Sequence, residues 1–197
     1  MAENNPDDLR RLAEMLHPWE TERLRNLLFS WLQRGHKVAR GLQAERDDET
    51  GDWRNDTSFA TDRYQYLMHT ARSVWDPPED LRVDPEADPF LLKFPTVTIY
   101  PFRVAPDPHH PIPGITDLGR ALLAREEPSP EHHDALALLS LQEVFMDDRD
   151  FLLLPWAGME DPGCTGMWVG QGQLSDDGTM EWTWLVCLAD GTEGTPD

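Results

Sequence analysis

Apolar residues in the first third of the chain recur every three or four positions. One such series covers residues 9–16 and a second covers residues 24–32. This spacing puts the apolar side chains on one face of a helix and predicts two amphipathic helices. The break between them falls near His17-Pro18, because proline is tolerated in the first turn of a helix but not in its interior.

The helical pattern changes after residue 45. Residues 46–57 include the run Asp47-Asp48-Glu49-Thr50-Gly51-Asp52, whose like charges repel one another and whose glycine disfavours a helix, so an exposed loop is predicted there. A third helix is predicted over residues 58–75, where aromatic and aliphatic side chains again follow a helical spacing. The sequence Asp76-Pro77-Pro78 ends it, since the residue before a proline disfavours the helical conformation.

Strand-like patterns begin near residue 90. Residues 90–94 and 96–104 are rich in aromatic and β-branched side chains, and residues 151–154 form a short apolar run. Pro101 cannot donate a ladder hydrogen bond, so the strand that contains it is expected at a sheet edge or beside a bulge. Two helices are predicted between these strands, over residues 116–124 and 129–141.

The clearest β-structure lies near the C-terminus. Residues 165–174 and 179–188 flank Ser175-Asp176-Asp177-Gly178, and an Asp-Gly pair favours a tight hairpin turn. Strict alternation would put Trp182 and Trp184 on the same face of the second strand and Leu185 on the other. Because both faces are then apolar, this strand is expected at the centre of the sheet.

Together these elements predict an α+β fold. A helical portion is expected over residues 1–77, an α+β portion with an antiparallel sheet of about five strands over residues 78–188, and a flexible tail over residues 189–197. The two inserted helices precede the C-terminal hairpin. The two portions are expected to pack as one compact unit.

Charge narrows the range of functions. The 197 residues carry 17 basic and 37 acidic side chains, a net charge of −20. Residues 1–46 contribute +1, from eight basic and seven acidic residues, so residues 47–197 hold −21. Such a surface repels phosphate, and direct binding of nucleic acid is not expected.

The location is inferred from what the sequence lacks. It shows neither the basic and apolar start of a secretory signal nor an apolar run of the roughly 20 residues that span a bilayer. Its two cysteines, Cys164 and Cys187, have no disulfide-scaffold or zinc spacing. A reduced, cytoplasmic protein without membrane contact is the resulting expectation.

The catalytic motifs sought in the sequence are missing. It contains neither a Gly-x-Ser-x-Gly elbow nor a phosphate-binding loop, and no cofactor is predicted. One alternative is a metal-dependent hydrolase in which a metal activates water. Histidine and aspartate side chains from two segments would be its ligands. Adjacent histidines project in different directions and a His-Glu-x-x-His spacing is missing, so exposed polar positions are the favoured interpretation of these residues. These residues are Asp107, His109, His110, His132, His133 and Asp134.

The favoured interpretation is a non-enzymatic partner-binding or regulatory protein, such as an inhibitor or an antitoxin-like protein that covers a basic protein surface. Acidic side chains would steer the partner and one exposed tryptophan would anchor it. A nucleic-acid mimic and a structural subunit of a larger assembly remain alternatives. The predicted contact residues are Asp47, Asp48, Glu49, Asp52, Asp147, Asp148, Asp150 and Trp156.

Overall fold

A computed structural model describes residues 4–50, 56–70, 82–84, 91–111, 117–125, 148–159 and 163–190. The helices in chain order are α1 (Pro6–Leu16), α2 (Thr21–Thr50), α3 (Asp56–Thr70) and α4 (Asp117–Ala124). The strands are β1 (Arg82–Asp84), β2 (Leu91–Lys93), β3 (Val97–Arg103), β4 (Asp150–Met159), β5 (Gly163–Leu174) and β6 (Met180–Ala189). The fold class is α+β, as predicted.

The first two helices form where the apolar spacing predicts them. Asn5 caps α1, its side chain accepting a hydrogen bond from the Asp7 N–H at 3.0 Å. The chain then turns at His17-Pro18, and α2 begins at Thr21. The predicted break between the two helices is confirmed.

The predicted loop over residues 46–57 is wrong for the positions that the structure describes. Helix α2 continues to Thr50, and α3 already begins at Asp56. Arg46 forms a two-pronged ion pair with Asp62 of α3, and Gln43 donates to Ser58 Oγ at 2.9 Å. These contacts hold the end of α2 against α3. The resulting tertiary stabilisation outweighs the weak helix preference of the acidic residues 47–49.

The six strands of the described residues form one mixed sheet in the order β1-β2-β3-β4-β5-β6. All five predicted strand regions are present, and β1 is an additional short strand. Every neighbouring pair is antiparallel except β3 and β4, which are parallel. The sheet is therefore not wholly antiparallel as predicted, because the long connection that contains α4 carries the chain back before β4 begins.

Two predicted strand positions are wrong. Strand β3 lies inside the sheet, and its pairing with β2 covers Thr98 and Ile99 and ends before Pro101. Strand β6 lies at the edge rather than at the centre. In β6 the register shifts by one residue, so that Trp184 pairs with Gln171 and Trp182 with Gly172. This bulge places Trp182 and Trp184 in different cores.

The sheet is covered on both faces. One face packs against α1, α2 and α3 around Leu28, Trp31 and Ile99, and the other packs against α4 around Leu122 and Phe102. The inserted helix α4 agrees with the predicted helix over residues 116–124, whereas the predicted helix over residues 129–141 lies outside the described residues. Of the helices described, none combines the length and the apolar character needed to cross a bilayer.

Candidate functional site

Two of the predicted acidic contact residues lie at the start of β4. Asp148 and Asp150 are both exposed, and Asp147 lies outside the described residues. The Asp150 N–H donates to Thr96 O at 3.1 Å, and Arg149 Nη1 donates to Phe94 O at 3.3 Å. The backbone and the basic side chain of this turn are thus fixed to the sheet, while its two carboxylates point to solvent.

The turn between β5 and β6 brings further carboxylates to the same end of the sheet. Leu153 pairs with Gly170, and this register puts the start of β4 opposite the end of β5, where the turn begins. Asp176 and Asp177 in that turn are exposed. We refer to the carboxylates of Asp148, Asp150, Asp176 and Asp177 as the acidic end of the sheet.

Asp177 is ionised at any physiological pH. Hydrogen bonds from the Ser175 and Thr179 hydroxyls, and then from the Thr179 N–H, lower the pKa of the Asp177 carboxyl to about 2. The Thr179 N–H lies 2.9 Å from Asp177 Oδ1. Gly178 adopts a positive φ of 84° and completes the hairpin predicted from the Asp-Gly pair. The turn therefore presents a fixed negative charge.

For the remaining predicted acidic residues, the structure describes no side-chain positions. Asp47, Asp48 and Glu49 belong to the last turns of α2, but their side chains are outside the described part of the structure, as is Asp52.

Trp156 does not form the predicted surface anchor. It lies within β4, and only 6% of it is exposed. The Arg63 guanidinium from α3 lies 4.8 Å from the centroid of the Trp156 ring, and His36 from α2 meets the ring edge-on at 5.7 Å. The loop-like context suggested by Pro155 and Gly158 is overridden by pairing with β3 and β5.

His36 and Arg63 form a buried polar pair that sequence reasoning missed. They are 2% and 3% exposed, and Arg63 Nη1 donates to His36 Nε2 at 3.2 Å. Since Nε2 accepts, Nδ1 carries the proton and donates to Leu32 O at 3.1 Å. The spacing in the sequence was the available signal. His36 follows Leu32 by four residues and Arg63 precedes Leu67 by four, so each polar residue lies on the same helix face as a buried leucine.

Burial lowers the pKa of both members of this pair, but the Arg63 guanidinium remains charged at pH 7. Desolvation, followed by the nearby Arg63 charge, lowers the pKa of His36 from 6.5 to about 4. Desolvation and then Arg103 lower the pKa of Arg63 to about 9. The imidazole is therefore neutral at pH 7. With both side chains enclosed between the helices and β4, the pair joins α2 and α3 to the sheet and is not open to a substrate.

Cys164 is also enclosed. It is 2% exposed, and burial raises the pKa of its thiol to about 12. Its N–H donates to Gln33 Oε1 at 3.0 Å, which ties the start of β5 to α2. Because the thiolate is the reactive form, Cys164 has the character of a core residue rather than a nucleophile.

The described part of the predicted metal site is a hydrogen-bonded loop. Asp107 accepts from the His109 N–H at 2.9 Å and contacts His110 Nδ1 at 3.2 Å, and these interactions lower the pKa of its carboxyl, the His109 N–H first. His109 Nδ1 donates to Met180 O at 3.0 Å. Among the described residues, no group of three or more metal-ligating side chains is placed to hold a metal ion. His132, His133 and Asp134 lie outside that part of the chain.

The outer edge of β6 is closed at both ends. At one end the Met180 N–H donates to His109 O at 2.9 Å. At the other end the Asn4 amide replaces a neighbouring strand, since Cys187 N–H donates to Asn4 Oδ1 at 2.8 Å and Asn4 Nδ2 donates to Cys187 O at 2.9 Å. Backbone groups of Met180 and Cys187 thus point outward, away from β5.

The middle of the same edge is open. In an antiparallel strand, the N–H and C=O groups of successive residues point alternately toward and away from the neighbouring strand. Counted from Met180 and from Cys187, with the one-residue bulge between Trp182 and Trp184, the groups of Trp182 and Leu185 also point outward. In the described structure, no hydrogen bond reaches these outward groups. We call the segment from Trp182 to Leu185 the open edge of β6.

A polar pocket of about 330 Å³ adjoins the open edge. Glu181, Trp182 and Thr183 of β6 line it, together with Arg125 at the end of α4. The Trp182 Nε1–H is buried and has no hydrogen-bond partner in the described structure. A Cβ at Gly172 would lie 2.9 Å from the Trp182 ring, so glycine leaves room for the indole beside β5.

Comparison of the chain with protein-family models, curated proteins and solved structures finds no match.

Proposed function

We propose that this is a non-enzymatic binding protein for a basic protein partner, with the character of an inhibitor or antitoxin-like protein. The observation that supports the proposal is the acidic end of the sheet, where the fold brings together exposed carboxylates separated by more than 25 positions in sequence, from Asp148 to Asp177. A cytoplasmic setting is part of the proposal and agrees with two free cysteines.

The electrostatics favour a basic partner. The chain has a net charge of −20, and hydrogen bonds hold Asp177 ionised. A field of this sign raises the rate of encounter with a positively charged surface and repels a nucleic-acid backbone. Salt at about 0.15 M screens charges beyond roughly 8 Å, so association is expected to slow as salt rises.

Charge reversal tests this role after partner capture from the native cells at low and high salt. Asp176→Lys changes one exposed carboxylate at the acidic end and is expected to slow association with the captured partner by about threefold to tenfold at low salt. The effect is expected to shrink at about 0.5 M salt. Association is measured with purified proteins by stopped-flow or surface-based kinetics.

Glu45→Lys is the matched control, because it makes the same charge change at another exposed site. Gln33 of α2 contacts the start of β5, opposite its turn, and Glu45 lies twelve residues further along the helix, roughly 18 Å. Equal slowing by both variants would show only an effect of net charge, and no slowing by either would count against the proposal. One tightly held metal ion per captured chain would instead favour a metal-dependent hydrolase.

A further inference from the structure

We propose that the open edge of β6 binds an extended, basic segment of the partner as an added strand. This inference rests on the proposed function and names its mode of docking. An added strand hydrogen-bonds to free N–H and C=O groups at a sheet edge, and adjacent pockets receive its side chains.

The hydrogen-bonding pattern defines the length of the site. Asn4 and His109 occupy the outward groups of Cys187 and Met180, so the free groups are those of Trp182 and Leu185. Two N–H donors and two C=O acceptors are available. At about 3.4 Å per residue, an extended segment of five or six residues covers this stretch.

The charges around the open edge favour a basic occupant. Glu181 precedes the edge, and the four carboxylates of the acidic end lie at the β5–β6 turn and the start of β4. The basic side chains nearby are Arg125, Arg149 and Arg11, whose guanidinium lies 5.4 Å from the centroid of the Trp184 ring. Five negative charges against three positive charges, within a chain of net charge −20, favour a segment that carries lysine or arginine. A second copy of this chain would bring its own Glu181 and acidic turn against the same groups, which disfavours pairing of two β6 edges.

The pocket offers a place for one side chain of the added strand. Its walls include Glu181, which precedes the open edge, and Trp182 and Thr183, with which the open edge begins. The buried Trp182 Nε1–H needs an acceptor, and an oxygen of the incoming segment would supply one. The indole proton therefore reports on the pocket separately from the backbone amides.

The test uses a hexapeptide of alternating lysine and valine as probe, with the full-length protein labelled with ¹⁵N. A fully N-methylated peptide of the same sequence is the matched control, because it keeps the charge and side chains but lacks backbone donors, and its N-methyl groups sterically prevent its carbonyl groups from pairing with the strand edge. The parent peptide is expected to slow hydrogen exchange of the Trp182 and Leu185 amides at least tenfold and to shift the Trp182 indole resonance. The N-methylated peptide is expected to protect neither amide.

A variant gives an independent measurement. Leu185→Pro removes an N–H that points away from β5 and is expected to weaken binding of the parent peptide at least fivefold. Leu185→Val retains the N–H and is its control. Because the peptide comparison uses the unaltered protein, it remains decisive if the proline variant fails to fold.

Equal exchange protection by the parent and N-methylated peptides, or protection by neither, overturns strand addition. Protection that requires dimer formation, seen by sedimentation, assigns the edge to a second copy and also overturns it. The proposed function fails separately: it falls if Asp176→Lys leaves partner association unchanged, whatever happens at Leu185. If that variant slows association but the edge amides are unprotected, the basic partner stands and this docking mode does not.

Discussion

The buried imidazole of His36 makes a quantitative prediction about stability and pH. Its pKa is about 4 in the folded protein, whereas a solvated histidine, as in the unfolded chain, has its ordinary pKa of 6.5. Because the folded pKa is lower, the unfolded chain binds the proton more readily between these values. The stability that neutral His36 provides is present above pH 6.5 and is lost as the pH falls toward 4.

The magnitude follows from the difference in pKa. At about 1.4 kcal/mol per pKa unit, the full loss between pH 7 and pH 4 is about 3 kcal/mol. About 2 kcal/mol of it falls between pH 7 and pH 5, where ordinary carboxylates remain largely ionised. This range separates the histidine from the acid titration of the many aspartates and glutamates.

The measurement compares the protein with His36→Gln, which keeps a donor and an acceptor in the same helix but does not titrate. Urea unfolding at each half pH unit from 7.5 to 4.5 gives the free energy of unfolding of both proteins. Their difference is expected to be flat above pH 7 and to shift by about 2 kcal/mol in favour of the variant by pH 5.

His69→Gln is the control, because His69 is exposed near the end of α3. It is not expected to reproduce the shift. A difference between the wild type and His36→Gln that changes by less than about 0.5 kcal/mol across this range would refute the reasoning, since a buried neutral histidine must resist protonation.

Three further predictions concern packing, reactivity and the strand edge. Gly158→Ala places a Cβ 2.6 Å from the His36 ring and 2.9 Å from a backbone oxygen, and is expected to lower the free energy of unfolding by about 1–3 kcal/mol. The Cβ of Gly41→Ala meets nothing within 4 Å, and this helix variant is expected to raise the free energy of unfolding by about 0.5–1 kcal/mol. Urea unfolding measures both. A thiol reagent should modify Cys187 faster than Cys164 in the native protein, because Cys187 is only partly buried; equal rates in single-cysteine variants would contradict this. Asn4→Ala should raise the hydrogen-exchange rate of the Cys187 amide at least tenfold, and an unchanged rate would show that the edge contact does not form in solution.

The sequence alone determines the elements whose physical signal is local. The break at His17-Pro18 follows from the conformational limits of proline, and the β5–β6 turn follows from the freedom of Gly178 to adopt a positive φ. The α+β class follows from the change of apolar period after residue 75. The net charge and the exposed acidic turns were likewise available from composition and spacing.

Tertiary structure decided the positions that depend on partners distant in the chain. Trp156 follows a proline and precedes a glycine-containing pair, yet strand pairing on both sides buries it under Arg63 and His36. The bulge that separates Trp182 from Trp184 arises from the register between two strands, which alternation along one strand does not contain.

The candidate site also depends partly on local sequence and partly on tertiary structure. Its carboxylates could be found from the sequence, but their common location comes from the register of β4 on β5. The open edge of β6 depends on which strand ends the sheet and on contacts from Asn4 and His109. Local propensity specifies where helices, strands and turns form, whereas long-range hydrogen bonding and burial decide which of their surfaces remain free to bind.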